Sequence, residues 1–257
     1  MEQIQKDIRL AKALIENNDI ILTESIGKGT EGKCYKYNSI VIKKYDTFSI
    51  EEAQDSRYYK NLNNKQSYIE RCKKAIEKGV NLVPELDYLK KEKDGKITVY
   101  TFMPYFKESR LLEDFQKTAN IKVSQFEKFL IDSLLLKQCG LIIDTVSTDN
   151  FLISGGGDII ITDPRMDAKE TVDLQSHDID VILSRATLPF TRDLFLLKKD
   201  NKEICENQFN QLFLRISNNL KEALSKFNNS KTAISNVDYY IDKCKPNTLE
   251  SNPDVSK

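Results

Sequence analysis

Hydrophobic positions recur along this chain with two different periods, and each change of period marks where helix gives way to strand. Ile4, Ile8, Ala11, Leu14 and Ile15 keep a three-to-four-residue spacing, which predicts an amphipathic helix over residues 4–15. Short β-prone runs follow at 20–22, 34–37 and 40–42, punctuated by glycines and by Asn38-Ser39. They predict three consecutive antiparallel strands. Helical spacing returns over 49–62 and again over 67–78, where Tyr68, Ile69, Cys72, Ala75 and Ile76 share one side and Gly79 stands at the C-cap position. Two more strands are predicted at 83–89 and 96–103, joined by the Asp94-Gly95 turn signal.

Beyond Phe106 the pattern is mainly helical. Phe126, Phe129, Leu130, Ser133 and Leu134 follow the i, i+3, i+4 rule, and Gly140 ends that helix. Two short strands, 151–153 and 159–162, flank Gly155-Gly156-Gly157, whose plainest reading is a hairpin turn. Helical patterns follow around 178–185, 190–198 and 204–227, and the polar stretch 246–257 is expected to stay outside any packed core. No internal repeat is visible. The predicted organisation is a helical leader (1–19), a strand-rich part holding five strands and a helix (20–105), a mainly helical part (106–245) and a polar tail (246–257).

Composition narrows the function classes. With 257 residues the chain is long enough for one sizeable core or two small ones. Lys+Arg and Asp+Glu balance at 39 each, so no net field favours nucleic acid, and none is expected as a partner. No apolar run reaches the ~18 residues of a membrane helix, so membrane insertion is not expected, and the first residues lack a secretory core. Cys34, Cys72, Cys139, Cys205 and Cys244 are scattered and never form C-x-x-C. That fits reduced thiols in a cytoplasmic setting better than disulfides or zinc. The single histidine, His177, cannot build a histidine metal centre.

Three stretches carry candidate chemistry. Gly27-Lys28-Gly29-Thr30-Glu31-Gly32 is a G-x-G-x-x-G between predicted strands, where glycine backbone can approach phosphate oxygens. A strand rather than a helix is predicted after it, which disfavours a dinucleotide-binding unit. Ile40-Val41-Ile42-Lys43-Lys44 then places a lysine at a strand end. Alternation puts Val41 and Lys43 on one face, so Lys43 is the preferred phosphate ligand and Val41 a wall for a base, with Lys44 the rival lysine. Such a lysine needs a carboxylate, for which Glu70, Glu51 and Glu52 are available on helices. Finally, residues 140–153 and Ile159-Ile160-Ile161-Thr162-Asp163-Pro164-Arg165 flank the small hairpin. Asn150 and Asp163 offer oxygen ligands for Mg2+, and Asp144 a carboxylate for an attacking hydroxyl.

In this order the glycine loop, the Val-Ile-Lys strand, the helix glutamate, the asparagine loop and the metal aspartate resemble the protein-kinase-like superfamily over roughly residues 20–185. Thirteen positions separate Asn150 from Asp163, and thirteen separate Glu70 from Val83. Both intervals match the family, and the second favours Glu70 over Glu51 and Glu52. The resemblance implies an α+β, bilobal protein-kinase-like fold, with a five-stranded antiparallel N-lobe plus a helix and a mainly helical C-lobe. It implies ATP and Mg2+ as cofactors, with Gly27, Gly29, Gly32, Val41 and Lys43 around the nucleotide. Met103 takes the gatekeeper place and Tyr105 lies in the hinge. Asp144, Lys43 and Glu70 would be catalytic, Asn150 and Asp163 would hold metal, and Asp178 or Asp180 would brace the catalytic loop.

Departures from the family are informative. Thr145 occupies the place of the catalytic aspartate, and Asp144 stands one residue early. A one-residue bulge would bring Asp144 into position, or Asp149 could contribute. Only fifteen positions separate Asp163 from Asp178, too few for a full activation loop. That compactness resembles effector kinases that bacteria deliver into host cells, for which it implies a virulence role in the host cytosol, a protein substrate and a host activator protein. The leading expectation is a protein serine/threonine kinase. A small-molecule phosphotransferase of the aminoglycoside- or choline-kinase kind and a pseudokinase binding module are the alternatives.

Overall fold

A computed structural model describes the chain except residues 1, 19–21, 30–31, 56–61, 63–64, 107–108, 111–117, 144–149, 168–172, 201–205 and 245–257. It is a mixed α+β structure with an antiparallel sheet. Two compact units make it up. The first comprises residues 1–108, 135–144 and 160–173, and the second residues 109–134, 145–159 and 174–257.

The first unit opens with α1 (Glu2–Glu16), whose Ile8, Ala11 and Ile15 are buried as the spacing predicts. The sheet follows as β1 (Ser25–Gly29), β2 (Gly32–Tyr37), β3 (Ile40–Tyr45) and β4 (Phe48–Ser49), then β5 (Asp87–Lys93) and β6 (Lys96–Pro104). Between them lie α2 (Ile50–Asp55) and α3 (Lys65–Glu77), the latter ended by Gly79 at φ 84°. The Asp94-Gly95 turn has both residues at positive φ, as a tight hairpin between right-twisting strands requires.

The sheet order is β1-β2-β3-β6-β4, with β5 on β6 as well. Tyr100 pairs with both Lys44 and Leu89, and Ile97 with both Phe48 and Glu92. Thus β3 and β4 lie end to end along one edge of β6, with β5 on the other. Six hydrogen-bonded strands replace the expected five because the third line is broken at Asp46-Thr47. The first strand described is Ser25–Gly29, so Gly27, Gly29 and Gly32 lie on the strands themselves, while residues 20 and 21 of the run expected at 20–22 lie outside the described residues. The strand expected at 83–89 begins only at Asp87, since the Val83 N–H is donated to Ile161 instead.

Alternation sorts the two faces. Ile40, Ile42, Tyr100 and Phe102 join α1 in one core cluster, and Tyr45, Phe48, Ile97 and Val99 join Ala53 and Leu62 in another. Val41, Lys43, Thr101 and Met103 therefore share the α1-distal face with Tyr45. The unit is completed by β8 (Leu141–Ile142) and β11 (Arg165–Met166), which pair antiparallel, and by a parallel bridge from Leu82 to Ile161.

In the second unit β7 (Ser109–Arg110) pairs with β9 (Phe151–Ile153), which leads into β10 (Ile159–Ile161) through a tight turn. Helix α4 (Val123–Gln138) begins in this unit, followed by α5 (Ser176–Thr187), a 3-10 turn at Leu188–Phe190, α6 (Arg192–Asp200), α7 (Glu206–Leu224) and α8 (Lys231–Cys244). Phe126, Phe129, Phe151 and Phe190 form its aromatic centre, with edge-to-face centroid distances of 5.1 Å (Phe126–Phe190) and 5.7 Å (Phe129–Phe151). The helix α8, absent from the sequence expectation, packs on α5 and α7. Among the described residues no helix is long and apolar enough to cross a membrane.

Candidate active site

Lys43 and Asp163, 120 positions apart, form a hydrogen-bonded ion pair at 2.6 Å. Strand β3 supplies the lysine. The aspartate is placed by β10 and β11, which are held on either side of it: Ile161 exchanges hydrogen bonds with Asn81 and Val83, and Arg165 pairs with Ile142. Both residues belong to the first unit.

Behind this pair lies a second. Lys65, at the start of α3, meets Glu85 at 3.2 Å and donates to the Tyr45 hydroxyl at 3.0 Å. The Tyr45 hydroxyl in turn donates to Glu85 Oε1 at 3.3 Å. The ring of Tyr45 joins the layers: Lys43 Nζ is 4.7 Å and Lys65 Nζ 4.9 Å from its centroid, and Lys65 also lies 4.2 Å from the Tyr68 ring. Side-chain exposure falls from 36% at Asp163 and 13% at Lys43 to 9% at Lys65 and 2% at Glu85, so the Lys43–Asp163 pair is the one open to a ligand.

Burial works to lower the pKa of Lys43, but Tyr45, Asp163 and Glu85 outweigh it and raise it well above the ordinary lysine value. Lys65 is raised likewise, with burial again opposed, here by Glu85 and Tyr45. Burial and the Glu85 charge push the Tyr45 phenol up to about 12. At neutral pH the cluster thus holds two ammonium groups and a neutral phenol. Burial also pushes the Cys72 thiol up to about 12, so it is no nucleophile. Cys34, Cys72, Cys139 and Cys244 carry no disulfide, and Cys205 lies outside the described residues.

The remaining expected residues fall as follows. Val41 pairs with Met103 across β3 and β6 on the face of Lys43. Tyr105 donates its N–H to the Ser39 carbonyl, and its ring lies 4.8 Å from Lys36 Nζ. Gly27 pairs with Cys34, and Gly29 with Gly32. Gly32 has a structural reason of its own. Its φ is 155°, and a Cβ there would come within 2.2 Å of the Lys44 carbonyl oxygen.

Glu70 is not brought to Lys43. It is exposed on α3, where it accepts a hydrogen bond from Gln66 at 2.9 Å. The buried stripe of α3 runs through Lys65, Tyr68, Ile69 and Cys72, which turns Glu70 away from the sheet. The carboxylate on Lys43 is Asp163 itself.

Asn150 belongs to the second unit, while Asp144, Thr145 and Asp149 lie outside the described residues. Asp178 accepts from the Gln175 N–H at the start of α5, and Asp180 accepts from the Thr232 N–H and hydroxyl. Among the described residues, no three His, Cys, Asp or Glu side chains gather as a metal cluster.

Sequence reasoning missed Tyr45, Lys65 and Glu85. The signal for Tyr45 was present, two positions beyond Lys43 on an alternating strand. Lys65 and Glu85 gave none, being charged residues beside apolar ones. Compared with known families and with curated proteins, the chain matches no family model and no curated sequence.

Proposed function

We propose that this chain is a phosphotransferase of the protein-kinase-like kind, bilobal in fold, which binds Mg-ATP at Lys43 and Asp163 and transfers phosphate to a protein serine or threonine. The observation that supports this reading is the Lys43–Asp163 pair. A strand lysine raised in pKa and a partly exposed aspartate from a distant segment meet beside Val41, Met103 and a glycine-bearing hairpin. Lys43 stays an ammonium and serves the α- and β-phosphates, and the Val41–Met103 pair offers an apolar wall to the base.

A divalent cation would rest on the Asp163 carboxylate, with phosphate oxygens and water as its other ligands, as is usual for magnesium. Bound there, it would offset the charge that builds on the transferring phosphoryl group. In the reaction the substrate hydroxyl oxygen bonds to the γ-phosphorus, the bond to the bridging oxygen breaks, and ADP leaves. Asp144 is assigned the hydroxyl proton.

The test is ATP turnover, with phosphate transfer to the protein itself or to an added lysate, in wild type, Lys43→Met, Asp163→Ala and Asp144→Ala. Metal-dependent turnover in wild type, lost at least ~100-fold in the first two variants, is the expected result. Turnover unchanged in Asp163→Ala would remove the assignment. Nucleotide binding without transfer would make the chain a binding module.

A further inference from the structure

We propose that the α1-facing side of the β1–β2 hairpin is a docking surface for an acidic protein segment, read by a row of three lysines that crosses β1, β2 and β3. Lys28 pairs with Lys33, and Lys33 pairs with Lys44, so the three stand directly opposite one another on consecutive strands. The next partner along the row, on β6, is Tyr100, which belongs to the core that α1 covers. The row therefore starts at the margin of the covered core and runs out to β1, which pairs with β2 alone among the described strands. Alternation turns it away from Lys43, so it is no part of the nucleotide site, and the proposal holds with or without that reading. Lys28 and Lys33 are exposed and Lys44 is half-buried. Tyr35, half-buried on the same face of β2, gives the row an apolar shoulder.

Like charges placed directly opposite across a ladder destabilise it, and here two such pairings lie side by side. Strands about 4.8 Å apart put the three stems within about 10 Å. Among the described residues, none of the three side chains takes part in an ion pair or a hydrogen bond. The lysines on the opposite face of the same strands do have carboxylates, Lys36 with Glu24 at 3.7 Å and Lys43 with Asp163 at 2.6 Å. A lysine on an edge strand is a usual guard against strand addition, which accounts for Lys28. Lys33 and Lys44 lie on interior strands, where there is no edge to guard. Their charge is in excess for the fold itself and complements carboxylates brought from outside. The whole chain balances at 39 charges of each sign, so the row is a local field and not part of a basic surface. It suits a few carboxylates and is too short to track the phosphates of a nucleic acid.

The experiment measures binding of a short fluorescein-labelled peptide of alternating Glu and Ser to the full chain, by fluorescence anisotropy at low and at physiological salt. The variant combining Lys28→Gln, Lys33→Gln and Lys44→Gln should bind at least about tenfold more weakly at low salt. Wild-type affinity should fall as salt is added, since exposed charges are screened beyond about 8 Å at physiological ionic strength. The exposed lysines on and just after α3 give a control with the same change of net charge. Lys73→Gln, Lys74→Gln and Lys78→Gln together should stay within about twofold of wild type. A second readout needs no ligand. Lys33→Gln alone removes both like-charge pairings, so its urea midpoint should exceed that of wild type at low salt, and the difference should shrink with salt. A midpoint at or below wild type would overturn the proposal, as would a wild type that does not bind the peptide or an equal loss in the control. Tighter binding of a single-stranded oligonucleotide, or of phosphatidylserine vesicles, than of the peptide in the same salt would also overturn it, by giving the row to another class of partner.

Discussion

Arg71 donates one guanidinium nitrogen to the backbone carbonyl of Gly140 at 2.8 Å and, from the same nitrogen, to that of Asp167 at 3.2 Å. Those two carbonyls stand at one end of the short ladder pairing β8 with β11, so a single side chain of α3 clasps both of its strands. Asp167 reinforces the clasp, donating its N–H to Gly140 and taking Lys137 on its carboxylate. Because only Pro164 stands between Asp163 and β11, Arg71 bears on where that carboxylate sits.

Arg71→Ala should therefore lower the unfolding free energy by about 1.5–3 kcal/mol, the usual worth of hydrogen bonds from a charged group. Arg71→Lys keeps the charge without the planar fork and should fall between. Urea midpoints at constant slope decide the matter, and midpoints equal to wild type would mean the clasp contributes nothing.

Gly32→Ala drives a Cβ into the Lys44 carbonyl, with the Tyr45 Cα also only 2.8 Å away. Neither neighbour is a flexible side chain, so β3 itself must shift, at a cost of about 1–3 kcal/mol. A lowered melting temperature is expected, and so is faster amide exchange along β3. If the melt is unchanged, the close approach does not constrain the strand.

Asp7 accepts hydrogen bonds from the Ser39 hydroxyl at 2.5 Å, the Ser39 N–H at 3.2 Å and Gln3 at 2.9 Å. The Ser39 hydroxyl holds its pKa below the ordinary carboxylate value, with burial working the other way. A folded-state pKa below the unfolded one contributes stability that is present above the unfolded value and lost as pH falls through the folded one. Asp7→Asn should cost about 1.5–3 kcal/mol at pH 7. The gap should narrow once pH drops below about 4, the ordinary aspartate value. Urea midpoints of both proteins at pH 7, 5 and 3 show it; a gap constant with pH would contradict the ionised contact.

In the second unit, Asp180 on α5 caps the first turn of α8 through Thr232. Asp180→Ala should cost about 1 kcal/mol, as loss of an N-terminal cap does. Exchange protection should fall first over Thr232 to Asn236, and unaltered protection there would show that the contact is incidental.

How far the sequence reached varies from element to element. Lys43 was legible because a strand alternates, and the face it shares with Val41 is the face the structure gives it. Glu70 was misread because an interval fixes distance along a helix and not its rotation. Rotation is set by the apolar stripe, and α3 admits Lys65 into that stripe, where hydropathy counts it as polar. The strand at Ser25–Gly29 was hidden by two glycines of low strand propensity, which pairing with β2 overrides. For α8, the buried positions Ala233, Val237 and Cys244 are diluted by Ser, Asn and Asp, so the period was faint. The joining of 135–144 and 160–173 to the sheet-bearing unit is a matter of tertiary pairing, which no local pattern announces.

The leader helix has a practical bearing on how the protein can be handled. Ile8, Ala11 and Ile15 roof over Ile40, Ile42 and Phe102, and Lys12 and Lys91 pin the roof at its edge. A shortened version starting at residue 20 would bare an oily sheet surface to water. Such a fragment is poor material for assays, since clumping would masquerade as inactivity.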